Sequence, residues 1–227
     1  QESVKLSLSF ARTAAATGQS AEDLSTTLSL MESISSASRE TLLNQLRSNA
    51  AMIEAAGVAP ALVMRDIAQN AEFFASFARD GGQNLIQAGT AARKLGLDLG
   101  AVASISESLL DFESSIEKSL EASVLLGRQI NTDRARQLAF AGDQKGLLEE
   151  IQRLVGGEAE FEALNFAQRR ALAGAVGTSV EQLSRLVRNN TATGTTAAIA
   201  GGGDDSVFNA IAGQTPIFES IEKNTRA

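Results

Sequence analysis

The sequence predicts an all-α protein, a multi-helix and partly extended chain with repeated helix–glycine–cap–helix junctions. Three observations predict it. Apolar residues recur at spacings of three and four almost throughout, and no convincing alternating strand is flanked by turn residues. Only two prolines, Pro60 and Pro216, stand in 227 residues, so few breakers interrupt helices. Finally, the runs Gly18 to Leu24, Gly96 to Val102 and Gly177 to Leu183 share one grammar. Each has a helix-ending glycine, one residue, a capping Ser or Asp, and an apolar residue four places after the cap. Gly57 to Val63 repeats it without a polar cap. The expected count is seven to ten helices, several of them long.

Taken in order, residues 2–16 read as a helix because of the alanines from Ala11, with a short strand at Leu6 to Phe10 as the minor alternative. Gly18 ends it, and Ser20 caps the next with Asp23 in its first turn. Leu24, Leu28, Met31, Ile34, Leu42 and Leu46 form a stripe, with a break near Ser38 to Glu40. Pro60 suits a first helical turn after Gly57. Leu62, Val63, Ile67, Phe73, Phe74 and Phe77 make the next stripe, ended by Asp80-Gly81-Gly82. A short helix over Leu85 to Leu95 stops at Gly96, and Asp98 caps the next helix. The longest clean pattern runs from about Gly100 to Ile130, roughly 45 Å of helix. Four shorter helices complete the chain to Arg188: one ending at Gly142, one over Leu147 to Val155, one over Phe161 to Val176, and one capped by Ser179.

Composition excludes several chemistries. With no Cys and no His, disulfides, thiolate or imidazole metal sites and Ser-His or Cys-His catalysis are absent from these residues. The formal charge of −7 opposes an electrostatic grip on nucleic acid or an anionic membrane. No apolar run is long enough to span a bilayer, and no signal-peptide pattern is visible. The start at Gln1 fits a processed chain or an internal piece of something longer.

Three constellations invite a ligand reading and carry little. Glu113, Glu117 and Glu121 line one helix face, but a hard-cation site needs oxygens converging from more than one element. Gly201-Gly202-Gly203-Asp204-Asp205 lacks the Lys-Ser/Thr of a P-loop and the spacing of an EF-hand. Arg134, Arg136, Arg169, Arg170, Arg185 and Arg188 make the later half more basic, without the stacking Tyr or Trp of a nucleic-acid footprint. No cofactor or metal site is read, and the chain is expected not to be an enzyme. The most informative feature is the stripe Ile105, Leu109, Phe112, Ile116, Leu120 and Val124, expected to form a buried seam between helices. The junction glycines are Gly18, Gly57, Gly96, Gly142 and Gly177.

From about Ala88 to Arg188 the chain resembles tail tape-measure and related tail structural proteins of tailed bacteriophages. The residues that carry the likeness are Lys94 to Asp98, Ser106 to Ile116, Leu125 to Asn131, Arg134 to Ala139, Gly142 to Leu147 and Ala175 to Leu183, in that order. The resemblance implies a helical structural protein of the virion, lying in the tail tube or at the tail tip and organising tail assembly and length. Its implied partners are itself, as a homo-oligomer, and tail-tube and hub or baseplate proteins. The chain departs from that pattern in being short and in lacking a membrane-active apolar segment. The alternative is a bacterial coiled-coil signalling or secretion-associated module, which calls for unbroken heptads where this chain has glycines. The expected organisation is N-terminal helices at 1–57, a central helical module at 58–188, a flexible linker at 189–206 and a C-terminal apolar tail at 207–227.

Overall fold

The structure, a computed structural model, describes residues 2–189, with side chains from Val4 onward. These residues belong to one compact unit spanning Gln1–Thr191. The linker and tail read at 189–206 and 207–227 lie, apart from Asn189, outside the described residues.

The fold is all-α. The helices are α1 (Glu2–Thr17), α2 (Ala21–Ile34), α3 (Arg39–Ala55), α4 (Pro60–Gln69), α5 (Ala71–Phe77), α6 (Gln83–Lys94), α7 (Leu99–Leu110), α8 (Phe112–Leu126), α9 (Asp133–Ala141), α10 (Gln144–Val155), α11 (Glu158–Ala163) and α12 (Phe166–Val176). A 3₁₀ turn at Asp80–Gly82 precedes α6, and residues 180–189 are again helical. The caps explain most boundaries. Ser20, Ser38 and Asp98 accept hydrogen bonds from the backbone N–H groups of Asp23, Thr41 and Ala101, satisfying donors the first turn leaves free. Gly18, Gly57, Gly96, Gly142 and Gly177 all have positive φ and lie just past helix ends.

The described residues hold more helices than the seven to ten expected, because three runs read as single helices are divided; the run read over Phe161 to Val176 is α11 and α12, with Asn165 capping the second. The helix expected over Gly100 to Ile130 is two helices, α7 and α8, separated at Asp111. The Asp111 carboxylate accepts from Ser114 N and its carbonyl from Ser115 N at 2.8 Å, so it caps α8 instead of decorating a continuous face. Asn70 likewise divides the Leu62 to Phe77 stripe into α4 and α5, its side-chain amide donating to Asp66 O at 2.8 Å. The longest described helix is therefore α3, of 17 residues.

The boundary read at Gly57 does not separate two cores. Helix α1 packs on α3 and α2 on α4; α4 then packs on α6 and α7, and α6 on α10. One continuous buried cluster runs from Leu24 to Val187. Buried polar groups tie the layers. Asp66, almost fully buried, receives the Arg93 guanidinium from α6 and the Leu99 N–H that opens α7. Ser106 in α7 donates to Gln144 Oε1 of α10 at 2.5 Å.

Candidate interaction surface

Helix α8 packs most extensively on α12, and the residues it buries are Ser115, Ser119 and Ala122. These lie four and three apart, on one face of the helix. Small side chains let the α12 residues Leu172, Ala173, Ala175 and Val176, themselves buried, come close. The inner face is polar as well as small. The buried Arg136 of α9 donates through Nη1 to Ser115 Oγ at 3.1 Å and Thr132 Oγ1 at 2.7 Å, and through Nη2 to Asp133. Ser123 Oγ accepts from Ile130 N at 2.9 Å and fixes the chain as it leaves α8. Gln168, in the capping box that starts α12, donates to Leu125 O at 3.0 Å.

Four of the large apolar residues of α8 therefore face away from the core, while Leu126, at its last turn, packs against it. Phe112, Ile116, Leu120 and Val124 are 52, 46, 62 and 82% exposed. This corrects the six-residue seam. Ile105 and Leu109, on α7, are 1% exposed and belong to the core; the other four belong to a second helix turned the other way. A periodic stripe shows that a helix has an apolar face, not that the face points inward, and the Asp111 break lets α8 rotate independently of α7. The signal missed in the sequence was the opposite face, where Ser115, Ser119 and Ala122 provide close-packing residues at helical spacing.

Beside the outward stripe runs a parallel line of carboxylates, each one residue further along: Glu113, Glu117 and Glu121, all exposed. None of the three forms a salt bridge among the described residues. Among those residues no group of three or more His, Cys, Asp or Glu is placed to hold a metal ion. Lys118, about 200° round the helix from Ile116, is half-buried and off the stripe.

The arginines of the later half do not converge. Arg136 is buried against α8, and Arg169 stacks 5.2 Å from the centre of the Phe161 ring. Arg185 pairs with Glu181 at 2.5 Å, and Arg188 donates to Ser184 O. Arg134 lies 3.5 Å from Glu150, a nearly buried carboxylate that Arg153 also grips with two hydrogen bonds. The Arg153 hydrogen bonds hold the Glu150 carboxyl below the usual glutamate range against its burial, helped by the charges of Arg153 and Arg134. A cleft of about 350 Å³ opens beside this trio, lined also by Leu138, Asp143, Gly146 and Glu149; both of its arginines are already paired with Glu150. On the surface, the Arg39 guanidinium lowers the Glu32 carboxyl in the same way.

No described helix is long and apolar enough to cross a membrane. No family model matches the chain, and no curated protein or solved structure is significantly similar to it.

Proposed function

We propose that this chain is a structural component of a larger protein assembly, of the bacteriophage tail tape-measure type, and that it acts by helix packing and not by chemistry. The observation that carries the reading is the inverted α8. A helix that buries serines and exposes Phe112, Ile116, Leu120 and Val124 in one line has the pattern of a partner-facing element. The sequence resemblance over Ala88 to Arg188 contributes the identity of the assembly: a tail tube or tail tip, with tube and hub proteins and further copies of the chain as partners. Short helices interrupted by glycine junctions disfavour the long coiled-coil hairpin of a signalling module.

The experiment is co-assembly. The chain is added to purified tail-tube subunits encoded in the same genome as the tubes polymerise, and the sedimented tubes are assayed for it. The expected result is retention in the tubes at a fixed ratio, lost in the Ile116→Lys/Leu120→Lys double variant. Tubes that exclude the chain, together with a monomeric mass at every concentration by light scattering, would overturn the proposal.

A further inference from the structure

We infer that the outer face of α8 receives a basic amphipathic helix from a partner protein; the inference rests on the assembly reading above and names the occupant of its surface. The first argument is charge. The stripe Phe112, Ile116, Leu120 and Val124 is edged by Glu113, Glu117 and Glu121, and none of these carboxylates has a salt-bridge partner of its own among the described residues. A partner helix with an apolar row beside Lys or Arg satisfies both lines at once, because complementary charge fixes register and suppresses wrong partners.

The second argument is symmetry. Pairing α8 with its own copy about a two-fold axis supplies these carboxylates with no cation: the antiparallel arrangement sets the glutamate edge against itself, and in a parallel one the only cation of α8, Lys118, lies off the stripe. The third is area. Taking about 150–200 Å² for a fully exposed large side chain, the four fractional exposures leave on the order of 400 Å² of apolar surface in the stripe. A stable globular interface covers about 800 Å² per partner, twice that. One helix laid on another fits the smaller figure. Helix α8 has 15 residues, about 22 Å, so the matching segment is four turns long. The four stripe residues repeat at i, i+4, i+8 and i+12, a ridge that favours a crossing near −50°.

The test uses the full chain and two synthetic helical peptides as probes. Each has leucines at i, i+4, i+8 and i+12; one carries lysines at the flanking positions and the other glutamates. Binding is read by fluorescence anisotropy at low and high salt. The lysine peptide is expected to bind about tenfold more tightly than the glutamate peptide, with the difference fading as salt rises. The triple variant Glu113→Gln/Glu117→Gln/Glu121→Gln should lose that discrimination. Leu120→Ser/Val124→Ser should weaken the lysine peptide with helicity unchanged, since both positions are exposed. Equal binding of the two peptides, or discrimination that survives in the triple variant, overturns the inference. Absence of peptide binding alongside self-association that Leu120→Ser abolishes also overturns it, and leaves the assembly reading standing. Absence of peptide binding, self-association and retention in tubes removes both.

Discussion

Gly57 and Gly177 close α3 and α12 with the same backbone conformation, φ +78°, and the same pattern of closing hydrogen bonds. Val58 N donates to Ile53 O at 3.1 Å, and Thr178 N to Ala173 O at 2.9 Å. Their surroundings differ. A Cβ at Gly57 meets nothing within 4 Å, whereas one at Gly177 falls 2.6 Å from Ser108 Cβ and 3.2 Å from Ile105 O of α7. Alanine in a left-handed conformation costs about 1–2 kcal/mol, offset by about 0.4–1 kcal/mol from the stiffer unfolded chain. Gly57→Ala should therefore destabilise by about 1 kcal/mol. Gly177→Ala carries the same backbone cost and adds an overlap with a Cβ and a carbonyl, neither of which can swing aside. Overpacking of this kind costs about 1–3 kcal/mol more, for a total of about 2–4 kcal/mol. Urea unfolding followed by circular dichroism gives both values, with an unchanged slope as the check that only stability moved. In the Gly177→Ala background, Ser108→Gly should recover part of the loss and not all of it, because the Ile105 carbonyl stays in place. Equal losses at the two glycines would refute the claim that Gly177 is set by the approach of α12 to α7.

Burial and charge set three further outcomes. Leu109→Ala should cost about 2–5 kcal/mol and Leu120→Ala under about 1 kcal/mol, measured by the same unfolding, because the first is in the core and the second faces solvent. Asp66→Ala leaves the buried Leu99 N–H and the partly exposed Arg93 guanidinium without their shared acceptor, and should cost about 1–3 kcal/mol. Glu150 has a folded pKa below its unfolded value, so its contribution is complete above the unfolded glutamate pKa of about 4.3 and is lost as pH falls through the lower folded value. Glu150→Gln should accordingly narrow the stability gap to wild type below about pH 4 and leave it widest near neutrality.

Much of the fold was legible because capping is local. Ser20, Asp98 and Ser179 announce their helices within four residues, the break read near Ser38 is where that serine caps α3, and the positive-φ glycines announce the ends. What escaped the sequence were caps embedded in strong helical periodicity. Asp111 and Asn70 each sit in a run whose apolar spacing continues across them, so only the side-chain hydrogen bonds reveal the break. The polar ties were also hidden. Asp66 and Arg93 are 27 residues apart, and Arg136 reaches Ser115 across 21; no spacing rule connects them.

The orientation of α8 shows the limit of periodicity most clearly. On apolar area alone, the stripe of Phe112, Ile116, Leu120 and Val124 should face the core, where each such side chain gains about 1.5–3 kcal/mol by full burial. The opposite orientation is held by terms a stripe does not encode. Ser115 supplies one of three acceptors for the buried Arg136, beside Thr132 and Asp133, and its loss would cost about the 1 kcal/mol of one hydrogen bond or somewhat more. Ser119 and Ala122 allow α12 to approach closely enough to bury Leu172 and Val176. Turning α8 over would drive four large side chains against α12 and take from that arginine its hydrogen bond to α8. The core therefore fixes serine inward, and the apolar face is left outward, where a partner can cover it.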